Sequence, residues 1–103
     1  MRKLANGFDW DAANIEKCGK HGVTLEEVES LFHGQVDVFP DVAHSGKETR
    51  FFGIGRTLAG RHLFVAFTLR TKAGENFIRP ISARYMHLKE VKHYEAEVAR
   101  RKN

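Results

Sequence analysis

Residues 62–69 read His-Leu-Phe-Val-Ala-Phe-Thr-Leu, with Leu63, Val65, Phe67 and Leu69 on every second position. A period of two puts all four side chains on one face of an extended strand. A face this apolar has to be covered, so the chain needs partner strands beside it and a second layer above it. The flanking segments supply candidates. Val36 and Val38 alternate with polar neighbours until Phe39-Pro40-Asp41 breaks the pattern. Arg50–Arg56 is a strand weakened by Gly53 and Gly55, and Phe77–Ala83 is another. Thr57–Gly60 and Thr71–Glu75 are the turns between them. Pro80 cannot donate to a ladder, so the last strand lies at an edge or carries a bulge.

The period changes to that of a helix on both sides of this block. Asp11 is an N-cap, with Trp10 and Ile15 at the spacing of a hydrophobic staple, and the helix runs to about His21 with Gly22 as its left-handed terminator. Thr24-Leu25-Glu26-Glu27 is a capping box for a second helix, stapled by Val23 and Val28. Its apolar face is Leu25, Val28, Leu31 and Phe32, and Gly34 ends it. Leu88, Val91, Tyr94 and Val98 recur at helical spacing in a charged C-terminal segment. The order α-α-β-β-β-β-α predicts an α+β fold: a small antiparallel sheet of about four strands, with two N-terminal helices and a C-terminal helix.

With 103 residues and no linker or internal repeat, the chain is expected to form a single domain over residues 1–103. Cys18 is the one cysteine, so no intrachain disulfide is possible and a reducing compartment such as the cytoplasm is expected. The start of the chain lacks the apolar core of a signal peptide. No stretch has the length and apolarity of a membrane span, so no membrane partner is expected. Charge is unevenly spread. Residues 1–55 carry 6 Lys/Arg against 9 Asp/Glu, whereas residues 56–103 carry 11 against 4. A strongly basic half points to an anionic partner, most often nucleic acid.

Three short segments concentrate chemistry: Lys20-His21-Gly22, His44–Arg50 and Arg79–Tyr85. Together with Arg56 they offer two bases, His21 and Glu48, and the guanidiniums of Arg50, Arg56, Arg79 and Arg84. That set suits phosphodiester cleavage without a metal or other cofactor. A base takes the proton of a ribose 2′-OH, and arginines stabilise the charge of the crowded phosphorane. Arg79 and Arg84 are five apart and fall on opposite faces of a regular strand, but a bulge at Pro80 shifts the register and puts them on one. Simpler readings compete. Glu48 and Arg50 can form a surface ion pair, His21 can serve the helix dipole, and Arg84 can pair with a helix carboxylate such as Glu90. His33, His62, His87 and His93 lack metal-ligand spacing. Cys18 reads as a buried helix residue, with a reactive thiolate flanked by Lys17 and Lys20 as the rival.

Phe8-Asp9-Trp10-Asp11, Lys20-His21-Gly22-Val23, His44-Ser45 with Glu48 and Arg50, Gly55-Arg56, Gly60-Arg61, Ile81-Ser82-Ala83-Arg84 and Tyr94 follow one another in an order that resembles the BrnT-like toxins. These are the ribonuclease halves of bacterial type II toxin–antitoxin pairs. The resemblance covers about residues 8–95. It implies a RelE-like fold, RNA cleavage, and tight binding to a BrnA-like antitoxin whose DNA-binding part carries the complex to operator DNA. It also implies an active surface drawn from Lys20, His21, Glu48, Arg50, Arg79 and Arg84. In this reading His21, Glu48, Arg79 and Arg84 are catalytic, and Lys20, Arg50 and Arg56 contact RNA. The alternative is a basic module that binds nucleic acid or docks an antitoxin and cleaves nothing.

Overall fold

A computed structural model describes residues 5–44, 46 and 48–101. Ser45 and Lys47 of the His44–Arg50 segment lie outside the described residues. The elements run β1 (Gly7–Phe8), α1 (Ala12–Gly19), α2 (Leu25–His33), β2 (Asp37–Pro40), a single 3-10 turn (Val42–His44), β3 (Arg50–Arg56), β4 (His62–Lys72), β5 (Glu75–Tyr85) and α3 (Leu88–Arg101). The fold is α+β, with one sheet in the order β1-β5-β4-β3-β2. Among the described residues five strands replace the four expected, and the sheet is mixed. The strand-like residues before the first helix pair parallel to β5, Gly7 opposite Phe77 and Phe8 opposite Ile78.

Local chemistry sets the helix ends. Asp11 caps α1 by accepting from the Asn14 amide at 2.8 Å. The helix stops at Gly19, two residues before the expected His21, and Gly22 takes φ +81° in the turn that follows. Thr24 and Glu27 form the expected capping box. Trp10 donates its indole N–H to Glu29 at 3.0 Å, tying the entry of α1 to α2.

The alternation in β4 sorts the sheet into two faces. Leu63, Val65 and Phe67 are fully buried and form one core with Cys18, Val23, Val28, Leu31, Ile78 and Ala83. Helices α1 and α2 therefore cover this face. The two glycines that weakened β3 as a strand explain how α2 sits so close. A Cβ at Gly55 would meet Leu31 Cδ1 at 2.6 Å and the Gln35 carbonyl at 2.8 Å, and one at Gly53 would press on Phe32. Glycine is needed there for close approach between layers.

Strand β4 extends to Lys72, past the expected end at Leu69. The β4–β5 turn shrinks to Ala73 and Gly74, both at positive φ. A two-residue turn of that kind matches the twist of the strands it joins. Strand β5 is not an edge strand. Its pairing with β4 slips between Ala66 and Phe67, with Ser82 opposite Ala66 and Pro80 opposite Phe67, so Ile81 is the extra residue of a bulge. Pro80 lies beyond the two-residue pairing with β1, and its missing donor is tolerated there.

The second face carries α3. This helix buries none of its side chains. It is held by polar ties: Arg84 to Glu90, Arg56 to Glu95, and Asp37 to both Tyr94 and Arg101. Between it and the sheet runs a groove of about 860 Å³ walled by Phe39, Ile54, Phe64, Met86 and Tyr94. No helix among the described residues is long and apolar enough to cross a membrane.

Candidate functional site

The bulge at Ile81 decides where the arginines point. Arg79 pairs across the sheet with Thr68, and Arg84 with Phe64. Thr68 and Phe64 are four apart on β4 and share a face, so Arg79 and Arg84 do as well. Arg50 also stands opposite Thr68, and Arg56 opposite His62, which places both on that same face. Glu48 joins them, with its Oε2 3.6 Å from the Arg70 guanidinium. Glu48, Arg50, Arg56, Arg79 and Arg84 thus share the sheet face opposite the buried core, and Arg79 reaches the cap of α1 from the sheet edge. The part around Glu48, Arg50, Arg70 and Arg79 lies clear of the ties that fasten α3.

Each arginine arrives there with a partner. Arg79 reaches Asp9 at 3.0 Å with one terminal nitrogen and the capping residue Asp11 with the other. Lys72 also contacts Asp9, at 3.1 Å. The Lys72 hydrogen bond, with Arg79 adding to it, outweighs burial and holds the Asp9 carboxyl below its ordinary range. Arg84 makes a bidentate pair with Glu90, at 2.7 and 2.8 Å, and lies over the Phe64 ring. This is the helix-carboxylate pairing that competes with a catalytic role for Arg84. The Arg84 hydrogen bonds and the His87 amide drive the Glu90 carboxyl down to about 2. Arg56 pairs with Glu95 at 3.2 Å.

Lys20 and His21 are not on this face. They follow α1, on the helical side of the sheet, and lead into Gly22, whose carbonyl is 3.4 Å from the Tyr85 hydroxyl. Tyr85 stands opposite Leu63 in the ladder and so shares the helical face. Its hydroxyl donates to Glu27 Oε1 at 2.6 Å, and Arg61 stacks on its ring at 3.5 Å. The Glu27 hydrogen bond raises the Tyr85 phenol above its ordinary value. Burial acts to raise Glu27, yet the hydrogen bonds from Tyr85 and Thr24 leave it lowered. Sequence reasoning grouped His21 with Glu48, whereas the sheet separates them. It also passed over the Arg61–Tyr85–Glu27 cluster. No local signal marks it, because the β4–β5 register that sets Tyr85 opposite Leu63 joins residues far apart in the chain.

Cys18 is 1% exposed, and burial pushes its thiol up to about 11. The reactive-thiolate reading fails, because a protonated, enclosed thiol is not a nucleophile. Among the described residues no group of three or more His, Cys, Asp or Glu is placed to hold a metal ion.

A family model described as the ribonuclease toxin, BrnT, of the type II toxin–antitoxin system matches residues 10–90. The chain belongs to that family. A BrnT toxin is one half of a toxin–antitoxin pair, so RNA as substrate and an antitoxin as partner come with membership. The matched span takes in both clusters, the Glu48 face and the Arg61–Tyr85 corner. No curated relative matches the chain.

Proposed function

We propose that this BrnT-family chain is a RelE-like endoribonuclease of the cytoplasm that cleaves RNA without a metal. A BrnA-like antitoxin silences it, and only the joint complex engages operator DNA. The observation that carries the reading is the common face of Glu48, Arg50, Arg79 and Arg84, to which the bulge at Ile81 brings Arg79 and Arg84 together. Glu48 is the proton-transfer group on that face. It takes the 2′-hydroxyl proton, the oxygen attacks the adjacent phosphorus to leave a 2′,3′-cyclic phosphate, and the expelled 5′-oxygen takes a proton from water. Arg79 and Arg84 steady the phosphorane charge. A guanidinium has five N–H donors, and the carboxylate contacts of each occupy two, so donors remain for phosphate oxygens. Their pairing with Asp9, Asp11 and Glu90 fixes the fork in place before RNA arrives. Arg50 and Arg56 contact the RNA chain on the same side, and Lys20 and His21 do so on the other.

The test is purified protein on RNA in EDTA, repeated with the neighbouring gene product added. The expected result is cleavage that persists under chelation and stops on addition of the antitoxin. Cleavage that needs a divalent cation would overturn the metal-free mechanism. No cleavage under any condition would leave the non-catalytic binding module in its place.

A further inference from the structure

Most of the described arginines touch a carboxylate. Arg56, Arg70, Arg79, Arg84, Arg100 and Arg101 each end on a carboxylate. Arg61 ends on a ring. Its guanidinium carbon is 3.5 Å from the centroid of Tyr85, and its charge acts on Glu27 and Tyr85 without a direct ion pair or hydrogen bond among the described residues. Stacking uses the flat face of the group and leaves the N–H donors around its edge open to solvent. The platform beneath is fixed, because the Tyr85 hydroxyl is held by Glu27 at 2.6 Å. Glu27 is the negative group facing this corner, and its Oε1 is already engaged by the phenol and by the Thr24 amide at 3.1 Å. The Gly22 carbonyl is 3.4 Å from the same phenol, and the exposed Lys20 and His21 precede it in the chain. An oriented guanidinium with open donors, close to the chain segment that carries Lys20 and His21, suits a planar or tetrahedral oxyanion.

We propose that Arg61, held on the Tyr85 ring, is a second phosphate subsite. It grips a phosphodiester of the RNA chain away from the bond being cut. This rests on the ribonuclease reading and adds a footprint to it. Arg84 and Tyr85 are consecutive in β5 and face opposite sides of the sheet. A single strand passing the end of β5 therefore meets the Arg84 side and then the Arg61 side. The phosphate at Arg61 is held, not cleaved. Tyr85 is a positioning residue that acts through Arg61.

The experiment is binding of a fully 2′-O-methylated RNA 12-mer, which offers no 2′-hydroxyl to attack, followed by fluorescence anisotropy across a salt series. Arg61→Ala is expected to weaken binding about 10-fold, as loss of a charge-assisted contact does. It should also flatten the log–log salt slope by about 0.7, the value for one single-strand phosphate. Arg61→Lys keeps the charge, loses the fork, and should fall between the two. Tyr85→Phe keeps the platform but frees it from Glu27, and should weaken binding less than Arg61→Ala does. Arg100→Ala, on an exposed arginine paired with Glu97, should bind as wild type. Folded Arg61→Ala and Arg61→Lys proteins that match wild type in affinity and slope would overturn the subsite. So would a loss confined to antitoxin binding, which would make the corner a protein-docking surface. A wild-type chain that binds no RNA at low salt would overturn the ribonuclease reading itself, and the subsite with it.

Discussion

The two faces of the sheet are covered in opposite ways. On one, α1 and α2 press Cys18, Val28 and Leu31 onto Leu63, Val65 and Phe67, and the side chains at the centre are sealed. On the other, α3 buries no side chain and is fastened by ion pairs and the Tyr94–Asp37 hydrogen bond above an open apolar groove. Burial of apolar surface supplies most of the free energy of folding, whereas exposed ion pairs supply little. The first face is therefore the structural one. The second is where arginines and a carboxylate can stand without disturbing the core, and where a partner or substrate can meet them.

The comparison is broken most severely from the helical side. Phe67→Ala empties the centre of the core and should lower stability by about 3–5 kcal/mol, measured by urea unfolding. Gly55→Ala drives a methyl group against Leu31 and the Gln35 carbonyl, and the carbonyl cannot swing aside. A loss of about 1–3 kcal/mol is expected by the same method. On the α3 side, Tyr94→Phe removes one hydrogen bond and should cost about 1 kcal/mol, seen as faster amide exchange confined to α3.

Acid should loosen α3 in the same exchange experiment. The Glu90 carboxyl lies at about 2 in the folded protein against an ordinary 4.5. A lowered folded value means that its tie to Arg84 contributes fully above about 4.5 and is lost as pH falls towards 2. Protection in α3 should fall across that window before protection in β4 does. The smallest effect belongs to Cys18. Native protein at pH 8 should resist iodoacetamide, and folded Cys18→Ser should cleave RNA at the wild-type rate.

Local signals in the sequence carried much of this architecture. The capping box at Thr24, the Asp11 cap and the alternation at Leu63–Leu69 each fix their element through contacts within a few residues, so they can be read directly. The bulge was legible as one of two options at Pro80, and with it the shared face of Arg79 and Arg84. What stayed hidden depends on long-range placement. The pairing of Gly7 and Phe8 with β5 spans some 70 residues and involves only two of them. The separation of His21 from Glu48 follows from which face α1 covers, a property of packing rather than spacing. The Arg79 contacts with Asp9 and Asp11 depend on that same β1 pairing. Arg61, in the turn before β4, meets Tyr85 at the end of β5, so no linear motif joins them.

The account stands on the open face being the chemical one, and paired variants test it most directly. Glu48→Gln and His21→Ala proteins, each shown to be folded by circular dichroism, are compared with wild type for RNA cleavage in EDTA. Loss of a general base costs about 100- to 10,000-fold in rate, and that loss is expected for Glu48→Gln. His21→Ala should retain turnover at saturating RNA and need more RNA to reach it. A Glu48→Gln protein that cleaves at the wild-type rate, beside a His21→Ala protein that does not, would contradict the account and move the chemistry to the helical side.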